Sequence, residues 1–236
     1  MNRIVKVARL QANKLDVTFL VPLYILAAVM VISALIVFAI QRGGGDPSSA
    51  DYVEGARMNM GMVWSLPGFL VYLGVQAVST TFPFALALGT TRRAFVAGTA
   101  LANLVQSAYI ALVMLALLGI ELVTNHWFIG LYVLDTYFLG AGDPLKLFLT
   151  AFIGTFLMLS IGGVFGAIWV RFGAKGPTIL GLALGLVLAI AIVLLVPYFG
   201  EIFAAMTEAK LALGAIAVAI VALLGTWLCM RRTAVR

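Results

Sequence analysis

The stretch Phe19–Ile40, FLVPLYILAAVMVISALIVFAI, runs 22 residues without one charged side chain. A helix needs about 20 apolar residues to cross the ~30 Å hydrocarbon core of a bilayer, so this segment reads as a membrane span. It exceeds the roughly 7–15-residue apolar core of a cleaved signal peptide and is expected to stay in the mature chain. Upstream, Arg3, Lys6, Arg9 and Lys14 are interspersed with Ile4, Val5, Val7, Leu10 and Leu15. That mixture suits an amphipathic helix lying on the cytosolic membrane surface, so residues 1–18 are expected to form one. Downstream, the run QRGGGDPSS at 41–49 collects helix breakers and marks an exposed loop on the far side.

The same reading extends along the chain. Five further spans are expected at about 60–88, 94–118, 147–170, 178–196 and 211–230, with Pro67 and Pro83 as kink points in the second. The connection from Glu121 to Pro144 is rich in aromatic residues (Trp127, Phe128, Tyr132, Tyr137 and Phe138) that suit a membrane interface. Arg171-Phe172-Gly173-Ala174-Lys175-Gly176-Pro177 is expected to be a tight turn, and Pro197 with residues 198–210 a short outer connection. Residues 231–236 form a basic tail. The expected fold is an all-α membrane protein with six transmembrane helices and both termini cytosolic.

Composition points the same way. Of 236 residues, 64% are hydrophobic and 10% charged, with a mean hydropathy of +1.14, which leaves no room for a separate soluble catalytic domain. Arg3, Lys6, Arg9, Lys14, Arg92, Arg93, Arg171, Lys175, Arg231, Arg232 and Arg236 fall on the assigned inside. Only Arg42, Arg57, Lys146 and Lys210 fall outside, as the positive-inside rule requires of cytosolic termini. The net charge of +6 is therefore a topology signal and no nucleic-acid partner is expected. A multi-pass protein of the bacterial inner membrane fits this pattern. No ionisable residue falls near the middle of an assigned span, which disfavours a proton relay.

Catalytic residues are not expected. There is one cysteine, Cys229, and one histidine, His126, so neither a multi-thiolate metal site nor a His pair can form. His126 reads as interfacial, and no nucleophile elbow, zinc motif or phosphate-binding loop is present. Any ATP and Mg chemistry belongs to a partner.

The most informative connection is Ala87-Leu88-Gly89-Thr90-Thr91-Arg92-Arg93-Ala94-Phe95. Gly89 can end one helix and Thr90 or Thr91 can cap the next, leaving the arginine pair in water. The spacing Gly89-x-x-Arg92-x-x-Phe95 resembles the element after the second span in permease subunits of the type-2 ABC exporter family. The basic amino-terminal segment and six-span pattern extend that resemblance over essentially the whole chain. The resemblance implies a complex of two permeases, a second copy or a related chain, with two cytosolic ABC ATPase subunits. It also implies that the segment Gly89–Phe95 is the coupling helix, with Arg92 and Arg93 docking the ATPase and Phe95 an apolar anchor. A vitamin-binding subunit of an ATP-driven importer and a noncatalytic membrane scaffold or immunity protein are the alternatives.

Two further patterns stand out. Tyr72, Gln76, Ser79 and Thr80 share a face of the second span, and Thr99, Asn103, Gln106 and Ser107 share one of the third. These neutral stripes either line a route for an amphipathic cargo or hold helices together. Gly162-x-x-x-Gly166 and Gly181-x-x-x-Gly185 permit close helix approach. Because the family commonly joins first and fifth spans across its dimer, Gly181 and Gly185 are the better candidates for dimer packing, with ordinary packing inside the subunit as the alternative.

Overall fold

The computed structural model describes residues 3–13 and 15–231. Lys14, and all of the basic tail beyond Arg231, lie outside the described residues. No strand occurs among those described, and six helical stretches are long and apolar enough to cross a membrane. Helix α1 (Arg3–Ala12) leads through a π-helical turn at Asp16–Leu20 into α2 (Val21–Arg42).

The second span is not one rod. It is built from α3 (Ala50–Arg57), α4 (Gly61–Ser65), α5 (Pro67–Ser79) and α6 (Thr81–Ala87). Ser49 starts α3 by accepting the Tyr52 amide at 3.3 Å, so the helix begins ten residues before the apolar run. Pro67 opens α5, where its missing N–H is no loss. Pro83 sits in the first turn of α6, and the break falls just before it at Thr80.

Helix α7 (Arg92–Val123) is the longest, followed by α8 (Pro144–Phe172). Asp143 caps α8 by accepting the Leu145 and Lys146 amides at 2.8 and 3.2 Å, with Pro144 at its first position. Helix α9 (Lys175–Leu195) continues through a 3₁₀ turn at Val196–Tyr198 into α10 (Phe199–Ala205). The expected outer connection at 198–210 is thus largely helical, and only two residues separate α10 from α11 (Glu208–Arg231). Pro197 fails to break the chain because it occupies the start of that 3₁₀ turn.

Helix α8 is the hub, packing against α5, α7 and α11. Its approach to α5 is backbone on backbone: a methyl at Gly74 or Gly162 would meet the main chain of the facing helix, and one at Gly166 would lie 2.7 Å from the Val75 oxygen. Gly162 and Gly166 therefore serve packing inside the subunit. Gly181 and Gly185 face open space, and α9 buries no residue. A methyl added at either position would meet no described atom within 4 Å.

One apolar core joins Leu26, Leu70, Ile110, Met114, Leu118, Leu147 and Leu159. A second joins Val7, Val78, Phe82, Ala85, Phe95, Ala167 and Met230, drawing α1 and the end of α11 to the same end of the bundle as the 88–91 turn. Helix α1 spends its apolar face on this core: Val7 is buried, and a methyl on Gly98 of α7 would stand 2.6 Å from Val7 Cβ.

Candidate functional site

Three regions carry polar chemistry. The first is the turn between α6 and α7. The Gly89 amide donates to Leu86 O at 2.9 Å and the Thr90 amide to Ala85 O at 3.0 Å, with Gly89 at φ +77°; this paired closure ends α6. Thr91 caps α7, accepting the Ala94 amide at 3.3 Å. Within the segment expected to be a coupling helix, Gly89–Thr91 therefore form a turn. Arg92, Arg93 and Phe95 belong to the first turn of α7, because the Thr91 cap starts that helix before them.

Their environments differ. Arg93 is exposed, whereas Arg92 donates from Nη1 to the Arg231 carbonyl at 2.6 Å and so closes the last turn of α11. Phe95 is fully buried, its ring edge-on to Phe82 with centroids 5.1 Å apart. It is an anchor within the bundle rather than an exposed contact.

The second region is a partly open cavity of about 380 Å³ in the half of the bundle nearest that turn. Helices α5 and α7 both pack on α8 and stand apart, with Leu159 of α8 at the base of the gap. Helix α1 bridges it: Gln11 donates from Nε2 to Ala77 O at 3.2 Å and to Thr99 Oγ1 at 2.8 Å. Gln106 donates to the Thr18 carbonyl at 2.6 Å, and Tyr109 to that of Phe19 at 3.0 Å, holding the segment below α2 against α7.

The two sequence stripes meet here in part. Tyr72, Gln76, Thr80, Asn103 and Gln106 line the cavity. Gln76 donates to the Tyr72 hydroxyl at 3.0 Å, and Thr80 to the Gln76 carbonyl at 2.7 Å. Three residues are not brought in. Ser107 is buried and donates back to Asn103 O at 2.7 Å, Thr99 is the buried acceptor of Gln11, and Ser79 does not line the cavity. Gln11 and Arg9, both lining the cavity, are absent from the stripes because α1 lies far away in sequence.

The third region is at the opposite end. The aromatic connection 124–143 is folded into a cap, with residues 131–136 all buried. The buried Glu121 carboxylate accepts the amides of Val133, Leu134 and Asp135 at 3.1, 2.9 and 3.2 Å. Asp135 in turn takes Arg57 Nη2 at 2.8 Å and lies 3.0 Å from His126 Nε2. His126 stacks on Tyr132 at 3.9 Å between centroids, so its position is structural. Burial raises the Tyr132 phenol above its ordinary range, with the nearby Arg57 charge partly opposing that shift.

Anchoring this cap imposes strain. Asn125, His126, Trp127 and Phe128 take φ of 48°, 60°, 58° and 61°, a left-handed turn costing about 1 kcal/mol or more per residue. It is held by Gln41 donating to Ile129 O at 2.7 Å and Tyr52 to Gly130 O at 3.0 Å. Sequence reading missed the cap; the apolar run Leu131–Leu134 between two spans was its available signal.

Among the described residues, no cluster of histidine, cysteine or carboxylate side chains could hold a metal ion. No family model, curated protein or solved structure matches this chain. The fold itself defines a multi-pass α-helical membrane protein.

Proposed function

We propose that the chain is the membrane-spanning permease subunit of an ATP-driven exporter in the bacterial inner membrane, with both termini and the 88–91 turn cytosolic and α1 at the membrane surface. ATP and Mg would be handled by separate ABC ATPase subunits, and a second permease copy or related chain would complete the complex. Dimer packing through Gly181 and Gly185 belongs to the same proposal.

The observation that carries the reading is the linkage of the turn to the bundle. Arg93 is exposed for docking. Two positions away, Phe95 is wedged in the core that unites α1, α5, α6, α8 and α11, and Arg92 holds the end of α11. A displacement applied at the turn is therefore delivered to several spans together, as a transporter driven from outside its own chain requires.

The test is affinity purification from the native host in mild detergent, with Arg93→Glu beside the natural chain. Arg92 is left intact so that α11 keeps its closure. A stoichiometric ATPase should co-purify and be lost at least tenfold in the variant. A complex that holds no ATPase, or an ATPase retained fully by Arg93→Glu, refutes the proposal. The cavity also favours one alternative, the vitamin-binding importer subunit, because 380 Å³ within a single chain is enough for a small ligand; vitamin binding by the isolated chain would select it.

A further inference from the structure

We infer that the cavity between α5 and α7 binds an amphiphile whose head carries one anionic group, phosphate or carboxylate, followed closely by neutral hydrogen-bonding groups. The inference rests on the transport reading only in taking the cavity as a place for cargo.

Charge comes first. Among the described residues Arg9 is the sole charged side chain lining the cavity, it is exposed, and it has no ion-pair partner. No carboxylate of the described residues lines the space to compensate a cationic head. A guanidinium presents a planar fork of donors that fits phosphate or carboxylate, and a charge-assisted pair of this kind is about twice as strong as a neutral hydrogen bond.

Neutral groups come next. Asn103 is only 4% exposed, yet its side-chain amide has no hydrogen-bond partner among the described residues. Gln11 Oε1 is buried and likewise without a partner. A buried polar atom left unpaired costs about 1–3 kcal/mol, which applies to Gln11 Oε1, and Asn103 adds amide donors to the cavity wall, so the space offers both donors and an acceptor to a ligand that supplies the complement. Amide, ester or hydroxyl groups beside the anion meet that requirement.

Much of the rest of the lining is apolar. Leu73, Leu101, Val105 and Leu159 are part of it. Tyr72 and Val105 both line the cavity and are half exposed on the flank of the bundle, so an acyl or alkyl chain can leave sideways between α5 and α7 toward lipid. Mostly apolar walls with a few convergent polar groups are the usual composition of a small-molecule site.

The test uses the purified full chain in maltoside detergent with a diazirine-bearing dodecyl phosphate as photoprobe. Labelling should concentrate in peptides spanning 70–81 and 99–109. Unlabelled dodecyl phosphate should compete about tenfold better than dodecyltrimethylammonium, the factor expected of one charge-assisted contact at an exposed rim. Arg9→Gln should abolish that preference, Arg9→Lys should retain part of it, and Asn103→Leu should lower labelling. If Asn103→Leu fails to fold, the substitution at exposed Arg9 still decides the matter.

Labelling spread evenly over all spans, equal competition by the ammonium amphiphile, or an unchanged preference in Arg9→Gln would each overturn the inference. Displacement of the probe by phosphatidylglycerol in nanodiscs would identify the source as a resident lipid head; failure of that lipid to displace it, with dodecyl phosphate still competing, would identify a separate amphiphilic cargo. No ATPase takes part, so the expected labelling together with a native-host complex that holds no ATPase would uphold this site while refuting the exporter reading.

Discussion

Replacing Gly162 by alanine should destabilise the bundle more than its single added methyl suggests. The new Cβ would be driven into the carbonyl oxygen of Val71 and would lie 2.9 Å from Gly74 Cα and 3.0 Å from the Val71 carbonyl carbon. Restoring an ordinary carbon–carbon separation of about 3.6 Å requires α5 and α8 to part by roughly 0.7 Å. The obstacles are backbone atoms, so no side chain can rotate away. Overpacking of this kind typically costs about 1–3 kcal/mol, and the upper part applies because α8 also packs against α7 and α11 and cannot shift alone. Alanine's better helix propensity returns about 0.5–1 kcal/mol. A net loss of about 2 kcal/mol should lower the midpoint of thermal unfolding in detergent by roughly 4–8 °C. The control is Gly154→Ala on the same helix, where an added methyl meets nothing within 4 Å; it should be neutral or slightly stabilising. Equal midpoints for the two variants would refute the backbone contact between α5 and α8.

At the opposite end, Glu121→Gln should loosen the cap. The amide keeps one acceptor for the three amides of Val133, Leu134 and Asp135, and its NH₂ must face an N–H; the cost is about 2–4 kcal/mol, read as faster amide exchange over 131–136. Tyr132→Phe should change the alkaline limb of stability. A phenol raised by burial contributes stability fully below its unfolded value of 10.0 and loses it as pH rises through the folded value, so the natural chain should weaken above about pH 10 more steeply than the variant. Parallel alkaline limbs would remove the buried phenol from this account.

Six spans were legible because lipid imposes a length and polarity rule that acts on contiguous sequence. Phe19–Ile40 answers that rule almost residue for residue, and α2 with its preceding turn covers it. The turn at Gly89 was legible for a similar reason: a positive φ and a threonine cap are local demands. Boundaries drifted outward where capping overrode apolarity, as at Ser49 and Asp143, and where Pro197 was accommodated at the start of a 3₁₀ turn. What could not be read was any pairing across distance. Arg57 meets Asp135 and Gln11 meets Thr99 without a periodic pattern to announce either, and the fate of the two glycine motifs depended on which helix faced each one.

The two ends of the molecule are built on opposite principles, and this bears on how it would work. At the cap end, Glu121 and Asp135 gather backbone amides, Arg57 and His126 into a buried, densely bonded network around a strained turn, in which Arg57 Nε, Trp127 Nε1, Asp135 Oδ1 and Thr136 Oγ1 have no partner among the described residues. At the other end, α5 and α7 are bridged across a cavity by one side chain, Gln11, whose own oxygen has no partner. Losing those two hydrogen bonds costs only about 1–3 kcal/mol, within reach of a ligand's differential binding or of a force delivered through Phe95. Motion should therefore begin at α1 and the turn end and die out before the cap. Hydrogen exchange should accordingly show residues 3–12 and 76–81 opening more readily than 131–136. Equal protection at both ends would mean that α1 is a fixed wall, leaving the cavity with no moving part.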